Sequence, residues 1–212
     1  MEERLLFIDN DVFVILAASE MMETTAGILG FDIECLRRLN TLPYMLYGKS
    51  FRRTYPESVL NSARDWCDRI ASITEAPGNS AAEDRMIAVT DPDNGKHLID
   101  RGEAFMYSLL LHKPACYLAS GDKRAMIALA TAPELKTLRD AVAGRIVCLE
   151  AVLRLLIAEN GPMAIARALK PLMPCHKTIQ IVFSQPLHCH EALSSYLNEL
   201  QRKVGGGFLF MP

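Results

Sequence analysis

Four carboxylates occupy positions where an α/β protein concentrates its chemistry. They are Asp9 and Asp11 in FIDND (7–11), Glu103 in IDRGEA (99–104) and Asp122 in SGDKRA (120–125). Asp9 and Asp11 directly follow the apolar run LLFI, Asp122 follows ACYLAS, and Glu103 stands at the start of an expected helix. In a parallel sheet, functional groups gather at the carboxyl ends of strands, beside helix starts. Two unit charges about 4 Å apart interact by roughly 4 kcal/mol at an effective dielectric near 20. A convergent set therefore implies raised pKa values or a divalent cation, with Mg²⁺ or Mn²⁺ the natural oxygen-ligated choice. Each acid also has a plain structural reading. Asp9 and Asp11 make good turn or helix-cap residues, and Glu103 can complete a capping box with Asp100. Ser120 can cap a helix whose positive end Asp122 favours, and Lys123 and Arg124 suit either a phosphate contact or a solvated helix start.

The elements that must carry these residues are legible as hydrophobic runs. RLLFI (4–8) and ACYLAS (115–120) read as buried strands, and RIVCLEAVLRLLIAEN (145–160) begins as a strand and ends as a helix. A helix is expected from about Val12, and residues 31–46 and 56–75 read as amphipathic helices. Composition marks 76–84 as a loop, and MIAVT (86–90) reads as a strand before the turn DPDNGKH. Helices are expected in IDRGEAFMYSLLLHK and GDKRAMIALATA. In the tail, TIQIVFS (178–184) suggests a strand and HEALSSYLNELQRKV a helix, ahead of a flexible and then apolar GGGFLFMP. The alternation predicts a three-layer α/β sandwich with a mainly parallel central sheet over residues 1–160. Residues 161–212 form a C-terminal extension able to pack on the same domain.

Composition narrows the classes. The 212 residues are 50% hydrophobic and 23% charged, which excludes extensive disorder and leaves room for a sizeable core. A net charge of −2 provides no global basic field for nucleic acid, although local patches remain open. The opening MEERLLFIDND has too short an apolar run for a secretory signal, and no stretch reaches the roughly 18–20 apolar residues of a membrane span. Six scattered cysteines, mostly inside apolar runs, look like buried free thiols, so the expected location is the cytoplasm.

FIDND, IDRGEA and YLASGDKRAMIALA, in that order, resemble the signature segments of PIN-domain nucleases over about residues 4–160. In that family one acid closes the first strand, a second lies in a GEA-like helix, and a third follows a strand in a Ser/Thr-x-Asp-Lys/Arg turn. The resemblance implies a PIN-like fold and metal-dependent hydrolysis of RNA phosphodiesters, with single-stranded RNA as substrate. Asp9, Glu103 and Asp122 would be the Mg²⁺ or Mn²⁺ ligands, Asp11 an additional ligand or base, and Arg124 a phosphate contact. Many members are toxins neutralised by a small antitoxin, and many form homodimers. Two departures stand out: Asp11 replaces the usual Ser, Thr or Asn, and the nearest early-helix acid is Glu34 in DIECLRRL.

Two rival functions share these residues. FIDND also resembles the strand-ending Asp-x-Asp of haloacid dehalogenase-type phosphatases, in which Asp9 would attack phosphorus; that reading lacks a downstream strand-ending acidic pair. A PIN-like fold with an incomplete acid set would instead bind RNA or protein without cleaving. Arg37, Arg38, Lys49, Arg52 and Arg53, interleaved with Tyr44, Tyr47, Phe51 and Tyr55, fit an RNA-facing strip. They fit equally the plainer picture of solvated charge over a packed aromatic face. Cys175, His176, His188, Cys189 and His190 are acceptable zinc ligands, but their spacing matches no standard finger.

Overall fold

Short aliphatic runs without polar alternation are satisfied as strands buried on both faces. The two that precede the acids pair with each other at the centre of a four-stranded sheet. The computed structural model describes residues 3–74 and 80–211. Strand β1 (Leu6–Ile8) leads through α1 (Asn10–Ala18) and α2 (Met22–Ile28) to β2 (Leu36–Arg38). Then come α3 (Leu42–Tyr47), α4 (Lys49–Thr54), α5 (Glu57–Arg69), α6 (Ser80–Ile87) and α7 (Arg101–His112) before β3 (Tyr117–Ser120). The chain continues through α8 (Lys123–Thr131) and α9 (Lys136–Val142) to β4 (Ile146–Cys148) and α10 (Leu149–Asn160). The remaining helices are α11 (Pro162–Ala168), α12 (Lys177–Phe183) and α13 (Cys189–Val204).

The sheet is all parallel, in the order β2-β1-β3-β4, with Leu6 opposite both Leu36 and Tyr117, and Leu118 opposite Ile146. Right-handed crossovers in this order send α1–α2 and α7–α9 to opposite faces. The packing agrees: α2 lies against α1 and α10, and α7 against α6 and α9. This is an α/β fold compatible with a three-layer sandwich. Both sheet edges carry a further segment. Arg38 of β2 bonds to Ala71 and Ile73, while Phe210 donates to Ile146 beside β4. One hydrophobic core runs from β1 and α1 through β3 and β4 to Leu193 and Leu197 of α13. Helix α13 packs on α8 and α10.

The helix beginning the 56–75 segment, the strand-to-helix transition at 145–160 and the helix within 190–204 form as expected. Three expectations are corrected. Residues 31–46 are not one helix: a 3-10 turn at Ile33–Cys35 leads into β2, and only Leu42–Tyr47 is helical. The edge position beside β1, with Leu36 opposite Leu6, overrides the local periodicity. MIAVT is not a strand, because α6 runs through Met86 and Ile87 and only Thr90 makes an isolated bridge, to His97. TIQIVFS is helical despite its β-branched residues, since Ile179, Val182 and Phe183 bury one face at helical spacing. Of the expected 76–84 loop, residues 80–84 are helical and 76–79 lie outside the described residues. Among the described residues no helix is long and apolar enough to cross a membrane, and all six cysteines are free.

Candidate active site

From β1 the chain steps outward to β2 and later returns to β3 on the other side of β1. The connections leaving β1 and β3 therefore diverge, and the crevice at their carboxyl ends is where ligands bind in open α/β sheets. Asp9 leaves β1 and Asp122 closes the turn after β3. The Asp9 N–H bonds to Ala119 O at 3.0 Å and ties the two exits together.

Three helices begin here. Asp9 Oδ1 accepts from Asn10 N–H at 2.7 Å and caps α1, and Asp122 Oδ1 accepts from Ala125 N–H at 3.0 Å and caps α8. At α7 the capping box is complete: Glu103 N–H donates to Asp100 Oδ1 at 2.9 Å, and Asp100 N–H to Glu103 Oε2 at 2.6 Å. The structural and the chemical readings of these acids thus hold the same atoms in place rather than competing. Each helix start contributes roughly half a positive charge, which favours carboxylates beside it. One cleft is lined by Asp9, Asn10, Asp11, Asp100, Glu103 and Asp122, with Leu39, Met45 and Phe51 completing its wall.

The electrostatics show the cost of this crowding. Burial, reinforced by the charge of Asp11, pushes the Asp9 carboxyl up to about 7, against the pull of the Asn10 and Gly121 N–H groups. Burial also raises Glu103; its bond to the Asp100 N–H opposes this, while a hydrogen bond with Asp122 and that residue's charge reinforce it. Asp11 is raised by burial and the charge of Asp122, against the opposing influence of His176 and a hydrogen bond from Tyr55. Beneath the acids lies Tyr107, wholly buried, its hydroxyl without a partner and its pKa raised first by burial and then by Glu103 and Asp9.

The donor set suits a hard divalent cation: it is all oxygen, and the charges that destabilise one another here are the ones such an ion would neutralise. Asn10, 9% exposed, adds a buried Oδ1 that has no hydrogen-bond donor, while its Nδ2 is spent on Met45 Sδ. Among the described residues no three His, Cys, Asp or Glu side chains are already drawn around a single point that would hold an ion. The cap bonds hold the carboxylates along the cleft wall instead.

Around the rim stand groups from distant parts of the chain. Tyr55 bonds to Asp11, and His176, the cap of α12, accepts from Ile179 N–H and has its pKa lowered by burial against the charges of Asp11 and Glu150. Lys123 pairs with buried Glu150 at 2.7 Å and lies over the Tyr196 ring, joining α8 to α10 and α13. Glu150 Oε2 has no partner at all. Lys123→Ala strands that carboxylate, so urea unfolding should show a loss of roughly 2 kcal/mol, below the full cost of breaking a buried pair because Lys123 is partly exposed. A change within a few tenths would show the pair to be idle.

Asp9, Asp11, Glu103 and Asp122 are therefore brought together. Arg124 lies beside them, paired with Asp122 at 3.3 Å. Glu34 is exposed on the 3-10 turn and does not line the cleft. The Cys/His set disperses: His176 turns to the acid rim, His188 pairs with Glu191 at the surface, and Cys189 is buried. Asp100, Tyr55 and His176 were missed as site residues. Asp100 had a visible signal, since an N-cap must sit where its helix starts. Tyr55 and His176 were singled out only for other roles, an RNA-facing strip and zinc, because only the fold brings them to Asp11. No family model, curated protein or solved structure matches the chain.

Proposed function

We propose that this chain is a PIN-like, metal-dependent endoribonuclease, with Asp9, Glu103 and Asp122 as the ligands of Mg²⁺ or Mn²⁺. The observation that carries this reading is the convergence of five carboxylates from three helix starts on one cleft at the sheet's switch point. Such an ion, when bound, polarises a phosphoryl oxygen, supplies hydroxide near neutral pH and stabilises the leaving oxygen. The protein's own groups do the positioning. The caps at α1, α7 and α8 fix the three proposed ligands, and Asn10 Oδ1 offers a neutral oxygen beside them. Asp11, held by Tyr55, serves as an additional ligand or as the base that takes a proton from water. Arg124 has donors to spare beyond its bond to Asp122 and can contact a phosphate. The same family likeness extends the proposal to a cytoplasmic setting, a small protein antitoxin and a homodimer.

The test is cleavage of a fluorescent, unpaired RNA strand with Mn²⁺ and with EDTA. Internal cuts only in Mn²⁺ are expected. Intact RNA, together with phosphate release from small monoesters and a trapped aspartyl-phosphate at Asp9, would replace this reading with a phosphatase. Intact RNA with no phosphate release would leave a binding module.

A further inference from the structure

The cleft wall opposite the chemistry is built by α3 and α4, and their outer sides are unusual. Met45 of α3 and Phe51 of α4 face the acids. On the outside, Tyr44 is 80% exposed and Tyr47 66% exposed, three residues apart on one helix side. The packed aromatic face expected from the sequence is therefore realised only by Phe51 and Tyr55. Arg64 lies over the Tyr47 ring, 4.4 Å from its centroid, and the side chain stays largely exposed beside it. On α4, Lys49, Arg52 and Arg53 are exposed and form no ion pair among the described residues. Arg37 and Arg38 are different: they are spent on Glu3 and on backbone carbonyls at the sheet edge. The cationic strip thus narrows to three exposed cations without an ion pair, Arg52 within electrostatic reach of Glu57, beside two largely exposed aromatic rings, on a wall shared with an acidic cleft.

We propose that the outer side of α3–α4 is a platform for an unpaired RNA strand. Bases stack on Tyr44 and Tyr47, and phosphates lie along Lys49, Arg52 and Arg53. Unpaired strands offer both chemistries at once: every base has a face for an aromatic ring, and the backbone needs cations. A duplex hides its base faces and gains only from the cations. A protein partner would use the tyrosines without requiring three unpaired charges. The platform also answers a problem of the site itself, since a cleft of carboxylates repels phosphate. A strand anchored outside the cleft can present one phosphodiester to it. The inference rests on the proposed RNA substrate, but it concerns binding and needs no catalysis.

The experiment is fluorescence anisotropy of the full chain with labelled unpaired and duplex RNA in EDTA, so that cleavage plays no part. Tight binding of the unpaired strand is expected, with duplex binding weaker. Tyr44→Ala/Tyr47→Ala should weaken unpaired binding about tenfold or more with little change in salt dependence. Removing all three cations should weaken it and reduce the salt slope by about 2. Arg167→Ala, an exposed cation on α11, is the neutral control. Equal affinity for duplex, or tyrosine variants that bind like the parent chain, overturns the platform. Loss of a dimer on light scattering by the tyrosine variants, with RNA affinity intact, would overturn it in favour of a protein interface. Binding with this mutational pattern in a chain that cuts nothing sinks the nuclease and leaves the platform standing. Cleavage unaffected by these variants does the reverse.

Discussion

Asp122→Asn should lower the proposed Mn²⁺-dependent RNA cleavage by at least a thousandfold, roughly 4 kcal/mol of transition-state stabilisation, while the protein should remain as stable as its parent within about 1 kcal/mol. The two halves of this expectation have separate causes. Asn caps a helix about as well as Asp, so α8 keeps its N-terminal bond to Ala125. The lost ion pair to Arg124 is largely exposed and worth little. What disappears is a charge that could ligate a cation. Asp9→Asn should be equally inactive yet more stable than the parent in EDTA, because it removes a buried carboxylate already crowded by Asp11. Steady-state cleavage and urea unfolding on both variants would check this. Retained cleavage in either one would remove the proposed ligand set.

The metal-free protein should lose stability as pH rises from about 4 to above 7, and Mn²⁺ should restore it. Asp9 has its folded pKa raised from 3.8 to about 7. Within that window the folded chain holds a proton that the unfolded chain has released. Stability associated with that proton is complete below about 4, falls as pH rises, and is gone above about 7. The raised carboxyls of Asp11 and Glu103 act in the same direction. Asp9 alone contributes up to about 4 kcal/mol at this shift. Urea midpoints in EDTA should therefore fall between pH 5 and 8, and Asp9→Asn should flatten the profile. A curve that rises over this range would show that the acids are not buried against one another.

The candidate acids were legible because each sits where a helix begins: Asp9 and Asp122 just after a short apolar run, and Glu103 in a capping box with Asp100. Asp100 was read from the sequence only as the cap, although a cap must sit where its helix starts. β1, β3 and β4 were legible too, as apolar runs too short and continuous for a surface helix. β2 was not. Its three residues, Leu36–Arg38, carry two arginines whose side chains turn to the sheet edge, so nothing in LRR advertises a strand. TIQIVFS misled in the opposite sense: its β-branched side chains suit either geometry, and packing against the core decides. The roles of Tyr55, Glu150 and His176 depend on contacts between segments far apart in sequence, which no local pattern encodes.

The two chain segments laid along the flanks of the sheet, at Ala71–Ile73 and Phe208–Phe210, affect how this protein can meet other molecules. Exposed strand edges recruit strands, from partners or from misfolded copies. Here an incoming strand would first have to displace the Arg38 and Ile146 hydrogen bonds already made. Recognition is thereby directed to side chains on helices, and the most direct route to self-association through backbone pairing is closed. A chain cut before Phe208 would reopen it at β4, and its first symptom should be aggregation rather than lost catalysis.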